Sequence, residues 1–378
     1  MAAPAAMSSG PPGGERAGLG TVGLGTVGLG TVGRGQVGWQ PLGRGRLGLG
    51  LVGCGVIAET YAAALSGLDG ARLVAVTDVD ALRGQRFAAA HGVPHDPSLD
   101  VLLARDEVDV VCVCVPSGRH AEIGLAAARA GKHLVVEKPI DVTLEAARRL
   151  IDGAEAARVS LNVISQQRYN PGVQKAKALL EEGALGRPLV ISASVPWYRS
   201  QAYYDSAAWR GTWQLDGGGA FMNQGVHYAD LLCWLFGPPE VTAASCATLA
   251  HDIEVEDIAL ALLRFGGGAV GMLEASTTAY PGSAVVLRVN GTRGTVVLED
   301  GALVRLETQG QAPALGSEDH GALTMPHGHR AQLADVLSAL RDGRPPPVSG
   351  EDGYRALELV LEVYRAAGWG PGGAGQTS

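Results

Sequence analysis

The sequence predicts an α/β protein in two parts: a doubly wound parallel sheet, then an α+β domain built on a large, mostly antiparallel open sheet. Three observations carry this. From Arg46 onward, short apolar runs alternate with Ala/Leu-rich amphipathic stretches, the signature of repeated strand-helix units. After about Asn162 the strand candidates lengthen, alternate more clearly and are joined by Gly-rich turns, as antiparallel strands are. The chain is also 378 residues long, more than one ordinary core holds.

These changes of texture divide the chain into a tail at 1–45, a first domain at 46–162, a second at 163–370 and a disordered end at 371–378. In the tail the pentad Leu-Gly-Thr-Val-Gly recurs at Leu19, Leu24 and Leu29. So Gly-rich a tract loses much entropy on ordering and has few side chains to bury, which predicts a flexible segment. In the first domain, strands are expected near 47–52, 72–77, 108–115, 132–136 and 159–163, separated by helices near 58–68, 82–91, 120–130 and 143–157. Right-handed crossovers between them make a parallel sheet. In the second, strands are expected near 189–195, 241–249, 258–265, 269–276, 285–290 and 295–299, and helices near 328–341 and 350–367 close the chain.

Composition excludes several function classes. The formal net charge is -8 and no dense Lys/Arg run occurs, against the cationic surface that nucleic-acid binding requires. The five cysteines are odd in number and sit in apolar runs, as Cys112 and Cys114 do, which suits a reducing cytoplasm rather than a disulfide framework. No window approaches 18 uninterrupted apolar residues and no secretory signal pattern opens the chain, so a soluble, unexported protein without a membrane partner is expected.

The glycine pattern G-x-G-x-x-G occurs in the tail, in frames starting at Gly18, Gly23, Gly28 and Gly33, and again at Gly43. None of these frames follows a strand and opens a helix, so none presents free helix amides to a diphosphate. The frame with the right context is Gly53-Cys54-Gly55-Val56-Ile57-Ala58, after the apolar run 47–52. Gly53 permits a tight turn, Gly55 lets the backbone approach a diphosphate, and the small Ala58 keeps helix and strand close. Twenty residues past Ala58, Asp78 ends the next apolar run, where a carboxylate can accept from ribose hydroxyls and favours NAD over NADP. Arg83 offers charge to a 2′-phosphate and leaves NADP open. Pro116, Ser117 and His120 open a helix at the carboxyl edge of the sheet, where they either approach the cofactor or, for Ser117, only cap the helix.

Two further motifs follow: Glu137-Lys138-Pro139 after a strand, and the stretch from Gly217 to Asp230 that reads GGGAFMNQGVHYAD. With the 53–58 frame, these resemble the Gfo/Idh/MocA oxidoreductases from about Arg46 to the end of the chain. Residues 165–171 (SQQRYNP) and 209–213 (WRGTW) are similar to the subgroup of UDP-N-acetylglucosaminuronate 3-dehydrogenases. The resemblance implies an NAD-dependent (EC 1.1.1 type) dehydrogenase that moves a hydride between the nicotinamide and a ring carbinol of a sugar. It implies Glu137 and Lys138 beside the cofactor, Lys138 and His227 at the reacting carbon, and a Lys-Pro bond that is cis in many members. Oxidising a carbinol needs a base for the hydroxyl proton and a donor for the developing alkoxide; Lys138 and His227 can supply both, and which is the base stays open. Asn223 stands where the inositol-dehydrogenase pattern has Asp. If the segment is helical, positions 223 and 227 share a face, and Asn223 can contact either His227 or the substrate.

Gln166, Arg168, Tyr169, Trp197, Arg199, Tyr204, Arg210 and Trp213 flank the motif. They are candidate contacts to an acidic or nucleotide-linked sugar, since aromatics stack on sugar faces and Arg forks grip carboxylate or phosphate; the same aromatics also suit a core or an interface. His320, His327 and His329 lack metal-ligand spacing and fall in an expected loop, so no metal is expected. Other activities of the same architecture remain as alternatives: a cyclitol dehydrogenase, an NAD-dependent glycosidase and a non-catalytic NAD-binding sensor. By resemblance, the open sheet pairs subunits into a homodimer or homotetramer.

Overall fold

The computed structural model describes residues 38–43, 45–310 and 324–371. The expected flexible tail lies outside these up to residue 37, as do the expected disordered end from residue 372 and His320.

The first sheet has six parallel strands: β1 (Leu47–Val52), β2 (Ala71–Thr77), β3 (His95–Asp96), β4 (Val110–Val113), β5 (His133–Val136) and β6 (Leu161–Val163), in the order β3-β2-β1-β4-β5-β6. The helices between them are α1 (Val56–Leu65), α2 (Ala81–His91), α3 (Leu99–Leu103), α4 (His120–Arg129) and α5 (Leu144–Ala156). All six residues of β1 are buried, as expected for the central strand of a sheet covered on both faces. Local chemistry marks the boundaries. Asp80 caps α2 by accepting from the amides of Leu82 and Arg83, and Thr143 caps α5 through the amide of Ala146. β3 and α3 were not expected: two and five residues are too short to show a period.

The second sheet has seven strands: β7 (Pro188–Pro196), β8 (Glu240–Ala247), β9 (Ile258–Arg264), β10 (Val270–Ser276), β11 (Val286–Gly291), β12 (Gly294–Glu299) and β13 (Ala302–Thr308), ordered β13-β12-β11-β7-β10-β9-β8. Pairing is antiparallel except between β7 and β10. Its helices are α6 (Pro171–Glu181), α7 (Gln201–Asp205), α8 (Val226–Phe236), α9 (Met325–Asp342) and α10 (Gly350–Ala366). β13 was also not expected; it is an edge strand with mostly open positions, so its apolar alternation is weak. The expected loop at His327 and His329 is instead the first turn of α9, with Pro326 in the position where a missing amide costs the helix nothing.

Both C-terminal helices return to the first sheet: α9 packs on α1, and α10 lies against α5, α8 and β8. One continuous apolar core therefore runs from β4 and β5 through α5 and α10 to the inner face of the second sheet, including Leu134, Leu150, Leu273 and Val360. Each such buried aliphatic contributes ~2 kcal/mol of transfer free energy, so this joint is a packed interior rather than a hinge. Ser349 begins α10 with a reciprocal capping box to Asp352.

Candidate active site

The loop after β1 has the geometry a dinucleotide needs. Gly53 has φ +94°, and a Cβ there would lie 2.6 Å from the Cys114 carbonyl oxygen, so only glycine fits. A Cβ on Gly55 would meet open space, the opening through which a diphosphate can approach. Gly55 stands at the N-cap of α1 with no side chain bonding the helix amides, and Val56 is 82% exposed. The amides of that first turn are thus available to an anion. Ala58 and Cys54 are buried and Ile57 is part-exposed. Burial pushes the Cys54 thiol up to about 12, which leaves it an inert packing group.

Asp78 is more engaged than a bare ribose acceptor. Its carboxylate accepts from the amides of Cys54 (2.7 Å) and Asp80 (2.7 Å) and is gripped by both arms of the Arg83 fork at 2.9 and 2.7 Å. Burial would raise its pKa, but Arg83 and the two amides outweigh that and hold it below the usual range. A cavity of about 490 Å³ opens between α1 and α2 beside Cys54, Asp80, Arg83 and Arg86. The residues present fit a nicotinamide dinucleotide.

The structure changes the role of the next three residues. His120 is 1% exposed, with Nδ1 2.7 Å from Pro139 O and Nε2 2.9 Å from Val115 O; burial lowers its pKa, so the neutral ring donates to one of these carbonyls and packs between the two strand ends. Ser117 caps nothing through its side chain; it opens a 3₁₀ turn, Ser117–Arg119, before α4. Pro116 precedes that turn. The amide of Gly118 then donates to Leu215 O at 2.9 Å, tying this turn to the loop that carries Trp213.

Glu137 and Lys138 end β5, and the Lys138-Pro139 bond is cis. Glu137 is buried; burial works to raise its pKa, but the imidazole of His329 at 3.1 Å and the neighbouring Lys138 bring it down to about 2. Lys138 Nζ donates to the backbone oxygen of Asn223 at 2.9 Å. Burial lowers its pKa, Glu137 and Asp216 oppose the shift, and Arg210 and Arg199 add to it. His227 lies one turn past Asn223; burial and the Lys138 charge hold it at about 3, so its imidazole is neutral at ordinary pH.

Residues Phe221–Gly225 form a π-helical turn that runs directly into α8, so positions 223 and 227 lie on one helical segment. The turn begins where Glu256, fully buried, accepts from the amides of Gly219 (2.9 Å) and Phe221 (2.8 Å) and from Tyr364 Oη (2.8 Å). Asn223 Nδ2 donates not to His227 but to Asp216 Oδ1, at 2.6 Å. Asp216, Glu256 and His329 are residues that motif reasoning missed; the only signal was that Asp216 opens the Gly-Gly-Gly run.

The flanking candidates separate into two groups. Arg199 lies over the rings of Trp197 and Tyr203 at 5.1 and 5.0 Å, and Arg210 lies over Tyr203 and Trp209 at 4.3 and 4.6 Å. Both Arg Nε atoms are buried without a partner, and both charges are felt at Lys138. Trp213 stands edge-on to Tyr364 at 5.6 Å. The others lie within the fold. Arg168 is 4% exposed and forks onto Asp230 at 2.8 and 2.6 Å, with Asp352 beyond, so its guanidinium is already satisfied. Tyr169 Oη donates to Asp335 on α9, Gln166 is buried against Gly328, and Tyr204 Oη pairs with Thr277. The 3₁₀ turn Gln166–Tyr169 is covered by α8 and α9, where Arg168 and Tyr169 are engaged by Asp230 and Asp335 and Gln166 Oε1 is buried without a partner. Among the described residues no group of three metal-binding side chains forms and no helix is long and apolar enough to cross a membrane.

A strand-glycine-helix mouth together with a part-buried Lys/His pair marks a nicotinamide-dependent oxidoreductase. Residues 47–165 match the NAD-binding Rossmann domain of an oxidoreductase family, and residues 173–297 match the GFO/IDH/MocA C-terminal domain. The fold is shared with the WlbA dehydrogenase of Bordetella pertussis, a structure in complex with NADH and UDP-GlcNAcA, at 34% identity and a TM-score of 0.81 over 86% of this chain and 97% of that one. The 1,5-anhydro-D-fructose reductase of Ensifer adhaerens is 29% identical over 83% of this chain and 94% of its own. The myo-inositol 2-dehydrogenase of Thermotoga maritima is 27% identical over 80% and 91%. The chain belongs to the Gfo/Idh/MocA family of NAD-dependent oxidoreductases acting on sugars and cyclitols.

Proposed function

We propose that the protein reversibly dehydrogenates a ring carbinol of an acidic or nucleotide-linked sugar, in the manner of a 3-dehydrogenase. The observation that carries this reading is the gathering of positive charge at the site: Arg199 and Arg210 both act on Lys138 and both keep an unpartnered Nε. Such a cluster is relieved by an anionic substrate group, which a neutral cyclitol lacks. The WlbA likeness, at 34% identity, supports the same substrate class.

In this reading the 53–58 loop and α1 hold the diphosphate, and Asp78 with Arg83 faces the adenosine ribose. NAD, when bound, accepts hydride from the carbinol carbon. Lys138, kept beside Glu137 and Asp216, donates from its ammonium to the substrate oxygen as charge develops there. His227, kept neutral by partial desolvation and the nearby Lys138 charge, takes the hydroxyl proton. Asn223 orients the substrate hydroxyl through its free amide oxygen, its Nδ2 being bound to Asp216. The outer face of the second sheet leaves Leu260, Leu262, Val190 and Val270 exposed, and a second copy of the chain is the natural cover for it. The free cysteines suit the cytoplasm.

The test is NADH formation. UDP-N-acetylglucosaminuronate is expected to reduce NAD, with Lys138→Met abolishing turnover and leaving NAD affinity unchanged. NADH accumulation with myo-inositol and none with any acidic sugar nucleotide would transfer the protein to the cyclitol dehydrogenases. Product release from a glycoside without NADH would indicate a glycosidase, and inactivity on all three despite tight NAD binding would indicate a sensor.

A further inference from the structure

The departure at position 223 has a structural counterpart. Asp216 is 2% exposed, one carboxylate oxygen accepting from the amide of Gly211 at 2.8 Å and the other from Asn223 Nδ2 at 2.6 Å. A carboxylate only accepts, so the amide must turn its NH₂ group towards Asp216 and its Oδ1 away from it. Asn223 is held at a second point as well, because its backbone oxygen accepts from Lys138 Nζ.

We propose that Asp216 is the positioning carboxylate of the reacting centre. Acting through Asn223 and on Lys138, it does from a neighbouring loop what an aspartate at position 223 would do from the helix. It sets which end of the Asn223 amide is presented to the substrate, as an acceptor, and it supplies negative charge that keeps Lys138 an ammonium. This rests on the reading of Lys138 as the group that meets the substrate oxygen.

The charged groups acting on Lys138 are Glu137 and Asp216, which favour its protonated form, and Arg210 and Arg199, which oppose it; those acting on Asp216 are Lys138 and Arg210. Burial disfavours both charges of the Lys138-Asp216 pair, and each offsets the cost of the other. Removing one carboxylate from this balance leaves Lys138 with Glu137 alone against two guanidiniums.

The test measures Lys138 directly, without a substrate, by the pH dependence of its acetylation by trace acetic anhydride, followed by peptide mass spectrometry. In D216N the midpoint of the Lys138 titration is expected to fall by about one unit or more, the order of shift that loss of a neighbouring opposite charge produces, Asp216 being linked to Lys138 through Asn223. The exchange D216N/N223D returns a carboxylate to the site with the hydrogen bond reversed and is expected to restore the midpoint to within a few tenths of a unit. Where turnover is followed, the basic limb of kcat moves with it and NADH affinity does not. The proposal is overturned if folded D216N titrates like the parent, or if the exchange variant titrates like D216N. Should D216N not fold, the exchange variant decides alone: folding with the parent midpoint supports the pairing, and failing to fold or titrating lower refutes it. An active K138M would remove the catalytic reading while leaving a shifted titration, and so the contact, standing.

Discussion

His329 Nε2 lies 3.1 Å from Glu137 Oε1, although 192 residues separate them along the chain. The other ring nitrogen faces Met325 O at 3.0 Å, and the ring stands edge-on to Tyr61 of α1. Helix α9 is thereby fastened to the residue that precedes Lys138.

His329→Ala is expected to destabilise the fold by about 1–3 kcal/mol, the cost of leaving a buried acceptor unpaired. It should lower kcat more than it weakens NAD binding, because Glu137 loses the group that fixes its carboxylate beside Lys138. Urea denaturation and NADH titration check the two halves separately. Equal stability would show that water replaces the imidazole without loss.

Arg168→Met should be among the more damaging single changes, at about 3–5 kcal/mol, because it leaves Asp230 charged and buried without a partner. Arg168→Met combined with Asp230→Leu is expected to recover much of that loss, which denaturation of the four variants would measure. A change in substrate KM with unaltered stability would instead return Arg168 to the substrate site.

Asp78→Asn removes the charge that repels a 2′-phosphate and releases Arg83 from its bidentate grip. The affinity for NADPH relative to NADH is expected to rise about tenfold or more, as ~1.4 kcal/mol of discrimination implies. Fluorescence titration with each reduced cofactor reads this ratio. An unchanged ratio would mean that Arg83 does not face the adenosine ribose.

Glu256 gives stability a pH dependence of unusual sign. Burial raises it from 4.5 to about 7 in the folded protein, against the hydrogen bonds from Phe221, Tyr364 and Gly219. The folded state therefore binds this proton more tightly than the unfolded chain, and stability from this group is full below pH 4.5 and lost as pH rises to about 7. The loss is roughly 3 kcal/mol at about 1.4 kcal/mol per unit. Glu137 runs the other way: held at about 2, its contribution is present above pH 4.5 and lost as pH falls towards 2. Subtracting the melting profile of Glu256→Gln from that of the parent isolates the first window; parallel profiles between pH 4.5 and 7 would contradict it.

Much of the molecule was legible in the chain because the relevant physics is local. A strand that runs into Gly53-Cys54-Gly55 and opens a helix needs no distant residue to be recognised, and β1 begins and ends where its apolar run does. The capped helices α2 and α5 announce themselves through Asp80 and Thr143 within a single turn. Lys138 and His227 stood out only through the family motifs around them, and their proposed roles rest on that resemblance.

What the chain alone determined, then, is its alternation of strands and helices and the strand-glycine-helix loop at Gly53 to Ala58. Tertiary structure decided how those side chains are held. Asn223 is bonded to Asp216 on the preceding loop, and Arg168 was drawn into the interior by Asp230 and Asp352, 62 and 184 residues away. His329 became the partner of Glu137 only when α9 folded back over α1. Buried polar groups must find partners wherever the packed core brings them, and that choice depends on distances between elements, which no local pattern of residues encodes.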